Sequence, residues 1–180
     1  MQVLKKFFTL GVFGLIVCAA VQFVFTANCS ARTLSVKEMY IGGVTFSSNY
    51  ERIYGRPTRV DNPDSGFRTV YYGDSVRISY GEGQIGSITV TANNGWATPA
   101  GIRVGSNIDS AVKVYGDPFA HKYGSQQAVY AWKGRVIGWG GNESEAYLVA
   151  KFNKIGGRIS EICLWSGSRM ADFDINNFLR

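Results

Sequence analysis

The sequence has few of the residues on which most catalysis and metal binding depend. It contains one histidine, His121, and three cysteines among 180 residues. It has no Gly-x-Ser-x-Gly elbow, P-loop or paired-histidine metal motif, and its carboxylates are scattered, so that no pair marks a hydrolase. These absences predict a protein that is not an enzyme and holds no metal or cofactor. The alternative is a hydrolase that uses His121 or a pair of carboxylates.

The chain also lacks any block of basic residues. Its 19 lysines and arginines outnumber 13 acidic residues, which gives a formal net charge of +6. The basic residues are spread along the chain, and none of the common nucleic-acid-binding motifs is present. A solvated surface accounts for this distribution, so no nucleic-acid partner is expected.

The N-terminal region has the pattern of an export signal. Two lysines precede an apolar run over residues 7–25, and small residues follow up to Ala31. We therefore expect a signal peptide over residues 1–31 and an extracytoplasmic protein, either periplasmic or secreted. Cleavage after Ala27 or Ala20 and an uncleaved segment that anchors the chain in a membrane remain alternatives.

Export would leave the chain almost without thiols. Neither Cys18 nor Cys29 follows a complete lipobox, so a lipoprotein is not expected, and removal of residues 1–31 leaves Cys163 alone. A lone cysteine cannot form an internal disulfide, and the stability of the exported protein must then come from its core. Cys163 itself is expected to be a small buried hydrophobic residue.

A short turn occurs twice, as Tyr54-Gly55-Arg56-Pro57 and as Tyr115-Gly116-Asp117-Pro118. In each copy the tyrosine is the last apolar contact of a helix, the glycine supplies a positive φ, and the proline prevents continuation. A second pair of segments, 83–90 and 157–164, is apolar at matching positions. Two matched anchors in the same order predict an internal duplication.

The duplication predicts an α+β protein made of two tandem repeats, each a helix followed by antiparallel strands. Repeat one spans residues 32–96, repeat two spans 97–165 with an insertion at 134–145, and residues 166–180 form a C-terminal tail. We expect the two sets of strands to join into one curved antiparallel sheet with the helices on one side. The protein is expected to be a monomer.

Local patterns place the elements within each repeat. Ser48 and Ser106 are expected to cap helices that end at Tyr54 and Tyr115. Alternation of apolar and polar residues predicts six strands, at Phe67–Gly73, Val76–Tyr80, Ile85–Ala92, Ala128–Lys133, Ala146–Phe152 and Arg158–Trp165.

This order of elements resembles the repeat of the β-lactamase inhibitory proteins. It is also similar to the single domain of the outer-membrane assembly lipoproteins of the BamE/SmpA type, and the similarity covers residues 35–165. The resemblance implies a helix-then-strands fold and a role in binding other proteins, or as a scaffold in outer-membrane assembly.

Aromatic residues of the second repeat provide the candidate binding surface. Exposed tryptophan, tyrosine and arginine side chains contribute most of the energy of many interfaces, although the same rings could instead fill the core. The residues expected to contact a partner are Tyr130, Trp132, Trp139, Tyr147, Lys151, Trp165, Tyr72 and Arg77. The predicted function is a non-enzymatic protein-binding module of the bacterial cell envelope that grips its partner with the open sheet face and the insertion. A module that binds glycan or peptidoglycan is the alternative.

Overall fold

A computed structural model describes residues 31–138, 140–167 and 174–179. Most of the expected signal peptide and part of the C-terminal tail therefore lie outside the described residues. Within the described part of the chain, no helix is both long enough and apolar enough to cross a membrane.

In the described part of the chain, the strands form one antiparallel sheet of eight in the order β1-β2-β3-β4-β8-β7-β6-β5. Each set of four consecutive strands forms a meander, and the two sets join where β4 pairs with β8, from Ser87↔Trp165 to Val90↔Ile162. The strands are β1 (Arg59–Asp61), β2 (Thr69–Tyr72), β3 (Val76–Gly81), β4 (Gln84–Val90), β5 (Ala120–Tyr123), β6 (Gln127–Ile137), β7 (Glu143–Asn153) and β8 (Ile159–Ser166).

Helix is scarce in the described residues. Those residues contain two α-helices, α1 (Tyr50–Tyr54), of five residues, and α2 (Ile108–Tyr115), of eight. Short 3-10 helices lie at Val36–Glu38 and Ile175–Leu179. Both α-helices end at a glycine of positive φ, as the turn chemistry predicts. Each begins one residue later than expected, because an asparagine side chain accepts the hydrogen bond of the first turn.

The predicted fold class is wrong. The structure is mostly a single eight-stranded antiparallel sheet, rather than two helix-plus-strand repeats with helices on one side. Five residues are too few for α1 to cover half a sheet. The helical segments also lie on both faces, because the C-terminal 3-10 helix packs on the side opposite α1 and α2.

The six predicted strands are present, and the structure adds two. Both added strands, β1 and β5, are edge strands of three and four residues with mostly exposed side chains. Such short edge strands carry little apolar alternation, which is why the sequence pattern does not reveal them. Residues 134–145 contain the ends of β6 and β7, which pair along eleven residues from Gln127↔Asn153 to Ile137↔Glu143.

Apolar side chains are buried on both faces of the sheet. The larger cluster lies beneath α1, α2 and residues 34–46, and includes Ile78, Ile88, Leu148 and Leu164. The smaller one lies on the opposite face and consists of Val129, Ala131, Tyr147, Val149 and Cys163, with Ile175 and Phe178 of the C-terminal 3-10 helix packed against it. The helix-bearing side is called the α-face below, and the other side the tail face.

Candidate functional site

A cleft of about 390 Å³ opens on the α-face at one end of the sheet. Its walls come from segments that are distant in sequence: the loop and first turn of α1 at 46–51, Arg68, Tyr80, the β3–β4 turn, and the end of the β6–β7 hairpin. We call this space the hairpin cleft. Because no single segment forms it, its shape depends on the pairing of the whole sheet.

The loop before α1 is held in place by its own hydrogen bonds. The Tyr50 hydroxyl donates to the Thr45 carbonyl at 2.9 Å, and the Thr45 amide donates to Ser48 Oγ at 3.0 Å. Burial raises the pKa of Tyr50, so the phenol stays protonated and remains a donor. The loop therefore forms a defined wall of the cleft.

Arg68 and Glu51 are the charged groups among the described residues that line the cleft. The Arg68 guanidinium carbon lies 4.6 Å from the centre of the Tyr80 ring, which is a cation–π distance. Burial raises the pKa of Tyr80, while Arg68 lowers it and Glu51 raises it in part. Both charges thus act on the same phenol, and the remaining lining is neutral, with polar groups from Gln84 and Ser144.

The structure does not bring the predicted binding residues onto one surface. Tyr130 and Trp132 lie on the α-face, where Trp132 is 1% exposed and Tyr130 is half-buried against the core. The Trp132 indole donates to the Gly116 carbonyl at 2.8 Å and its ring packs 5.6 Å from that of Tyr115. Trp132 is therefore a core residue.

Four of the predicted residues lie on the tail face. Tyr147 is buried, and its hydroxyl donates a hydrogen bond to the Glu145 carboxylate. The Trp165 ring packs edge-on against that of Phe178, with the ring centres 5.3 Å apart. Lys151 is half-buried and Arg77 is exposed.

The other two predicted residues lie elsewhere. Tyr72 is half-buried on the α-face, where its ring is 5.9 Å from that of Tyr54. Trp139 lies outside the described residues.

The two residues considered for chemistry lie away from the hairpin cleft. His121 is exposed on the edge strand β5, with its ring 5.4 Å from that of Tyr123. Cys163 is buried on the tail face, and burial raises the pKa of its thiol to about 12. A thiol with that pKa is protonated at neutral pH and is a poor nucleophile.

Sequence patterns did not reveal the cleft residues Arg68 and Tyr80 as a site. Arg68 precedes β2, and Tyr80 lies in β3 with its amide donating to the Arg68 carbonyl at 2.8 Å. Among the described residues, no group of three or more histidine, cysteine, aspartate or glutamate side chains could hold a metal ion.

Comparison of the chain with protein-family models, curated proteins and solved structures gives no match. The resemblance to the β-lactamase inhibitory proteins and to the BamE/SmpA-type lipoproteins therefore stays a prediction.

Proposed function

We propose that this protein is an exported, non-enzymatic binding module of the cell envelope, and that it takes a segment of a partner protein into the hairpin cleft. The observation that carries the proposal is the cleft itself, whose volume of about 390 Å³ falls in the range of ligand-binding pockets. An extended segment of a partner could lay one or two side chains into a space of this size.

The residues near the cleft support a protein partner. Phe67 is not part of the lining, but it directly precedes the lining residue Arg68 in the chain and is 64% exposed. Exposed aromatic and arginine side chains are enriched at the centres of protein interfaces. The lining side chains are mostly neutral and polar, which suits hydrogen bonds to a peptide backbone. The proposed localisation follows from the N-terminal sequence pattern and not from the cleft.

The proposal is tested by affinity capture from an envelope extract, with the purified exported protein as bait. We expect a protein that the native bait retains and that Phe67→Ala loses. The matched control is Phe119→Ala, because Phe119 is 52% exposed and directly precedes β5, outside the cleft lining. Equal retention by both variants, or no retained protein at all, would contradict the proposal.

Glycan binding is the second candidate, and one observation favours it. Tyr123 is 53% exposed, and its ring lies beside that of His121. The hydroxyl groups of Tyr123 and Tyr130 are joined by a hydrogen bond of 2.8 Å. A fixed, exposed aromatic ring is a suitable platform for a sugar. Co-sedimentation with purified sacculi that Tyr123→Ala abolishes would favour this candidate over the first.

A further inference from the structure

The cation in the hairpin cleft has no carboxylate partner within the described chain. None of the ion pairs among the described residues includes Arg68. Those pairs join Arg32 to Glu38, Arg59 to Asp61, Lys133 to Glu145 and Arg135 to Glu143. Arginine is charged at every pH at which a protein is folded. The cleft therefore holds a positive charge that the described residues do not neutralise by contact.

The environment of Arg68 makes this charge unusual. Its Nε is buried and finds no hydrogen-bond partner among the described residues. A buried donor without an acceptor is unfavourable and uncommon in folded proteins. The side chain is nonetheless held over the Tyr80 ring, so a ligand would meet a guanidinium that is already ordered.

Glu51 does not provide the missing partner. It lines the same cleft, but no oxygen of its carboxylate lies within ion-pair distance of Arg68. Its influence reaches Arg68's neighbour Tyr80, whose pKa it raises in part. Glu51 should thus weaken the binding of an anion without preventing it.

We propose that the hairpin cleft binds a carboxylate of the partner's peptide chain, with Arg68 as its counter-charge. The inference rests on the proposed function and names the chemistry of the bound segment. Arginine pairs with carboxylates through parallel N–H donors, which gives both charge and direction. The carboxylate can come from the C-terminus of a peptide or from an acidic side chain.

The inference is tested by titrating ¹⁵N-labelled exported protein with short peptides and following its backbone amide signals. The probes are N-acetyl-trialanine with a free C-terminus, the same peptide as its amide, and the amidated peptides acetyl-Ala-Asp-Ala and acetyl-Ala-Asn-Ala. We expect the free acid or the aspartyl peptide to shift the signals of Gly83, Gln84 and Gly138 to saturation. The two neutral peptides should shift them much less.

Variants of single residues show whether Arg68 is responsible. Arg68→Gln should weaken the binding of the acidic peptide about tenfold or more, as expected for the loss of a hydrogen bond to a charged group. Arg68→Lys should retain part of the affinity, and Glu51→Gln should strengthen binding. The matched control is Arg77→Gln, on the next strand and the tail face, which should leave the affinity unchanged.

Each of three outcomes would overturn the inference. One is equal binding of acidic and neutral peptides, and another is an affinity that Arg68→Gln leaves intact. The third is the absence of any shift with all four probes. The capture experiment with Phe67→Ala tests the proposed function separately. If that variant loses a partner that the native protein retains, the binding function is supported even where the peptides show that the cleft does not bind a carboxylate.

Discussion

Replacing Trp132 with alanine is expected to destabilise the protein severely. The side chain is 1% exposed, contacts the ring of Tyr115, and donates its indole N–H to the Gly116 carbonyl at 2.8 Å. Alanine would remove the ring from the middle of the larger core cluster and leave the carbonyl at the end of α2 without its donor.

The expected loss can be estimated from these contacts. Truncation of a buried tryptophan to alanine costs about 3–5 kcal/mol through lost burial and the cavity that remains. Loss of the hydrogen bond to Gly116 adds about 1 kcal/mol. The sum is a large part of the roughly 5–15 kcal/mol by which domains of this kind are stable. Trp132→Phe, which keeps most of the apolar ring, should cost about 2 kcal/mol.

Urea denaturation followed by far-UV circular dichroism measures these differences. The matched control is Phe67→Ala, whose exposed ring should change the free energy of unfolding by no more than about 0.5 kcal/mol. If Trp132→Phe and Phe67→Ala prove equally stable, Trp132 is not a core residue and the reasoning is refuted. The phenylalanine variant keeps the test informative even where the alanine variant does not fold.

Two further changes follow from close contacts and from charge. Gly134→Ala should lower the free energy of unfolding by about 1–3 kcal/mol, because a Cβ there would lie 2.5 Å from Met39 Sδ; urea denaturation measures it. The hydrogen bond and ion pair with Arg32 are the main cause that lowers the pKa of Glu38 from its ordinary 4.5 to about 2. The folded state therefore gains stability above about pH 4.5 and loses it as the pH falls towards 2. Glu38→Gln should remove this contribution, which solvent exposure limits to about 1 kcal/mol, so its deficit at pH 7 should shrink towards pH 2.

Each of these two predictions has a control. Gly66→Ala places its Cβ no nearer than 3.6 Å to the backbone of Glu82, so a loss equal to that of Gly134→Ala would contradict the steric argument. Glu143→Gln breaks the exposed pair with Arg135 and should show no comparable change between pH 7 and 2. A Glu38→Gln deficit that stays constant over that range would contradict the assigned pKa.

Local chemistry accounts for the parts of the fold that could be predicted. The positive φ of Gly55 and Gly116 ends both helices where the Tyr-Gly-x-Pro turns indicate, because only glycine adopts that backbone conformation without strain. The central strands follow from alternation, as in Val76–Gly81, where Val76 and Ile78 are buried and Arg77 is exposed. These signals depend only on near neighbours in the chain.

The proportions of helix and strand in the fold could not be predicted from the same local signals. The turn and the cap of α1 are like those of a longer helix, and these are the signals that the sequence shows. The helix itself has only five residues and covers little of the sheet. The sequence of β6 does indicate that both faces of the sheet are covered there. Tyr130 and Trp132 alternate with the apolar Val129 and Ala131, and a strand that is apolar on both sides is covered on both sides. That pattern excludes an open face at β6, and the C-terminal 3-10 helix provides the second cover.

The difference between Arg68 and Arg77 shows why the candidate site lay beyond prediction. Arg77 stands between two core residues of a strand, so alternation alone predicts that it is exposed on the tail face. Arg68 precedes its strand, and its position depends on pairings with distant segments, such as the Tyr80 amide bonded to its carbonyl. The cleft around it also needs the β6–β7 hairpin, whose nearest lining residue follows almost seventy positions later. Arg68 enters the site through such long-range contacts. Weaker peptide binding by Arg68→Gln together with unchanged binding by Arg77→Gln would therefore be the direct evidence that the fold, and not the composition, creates the site.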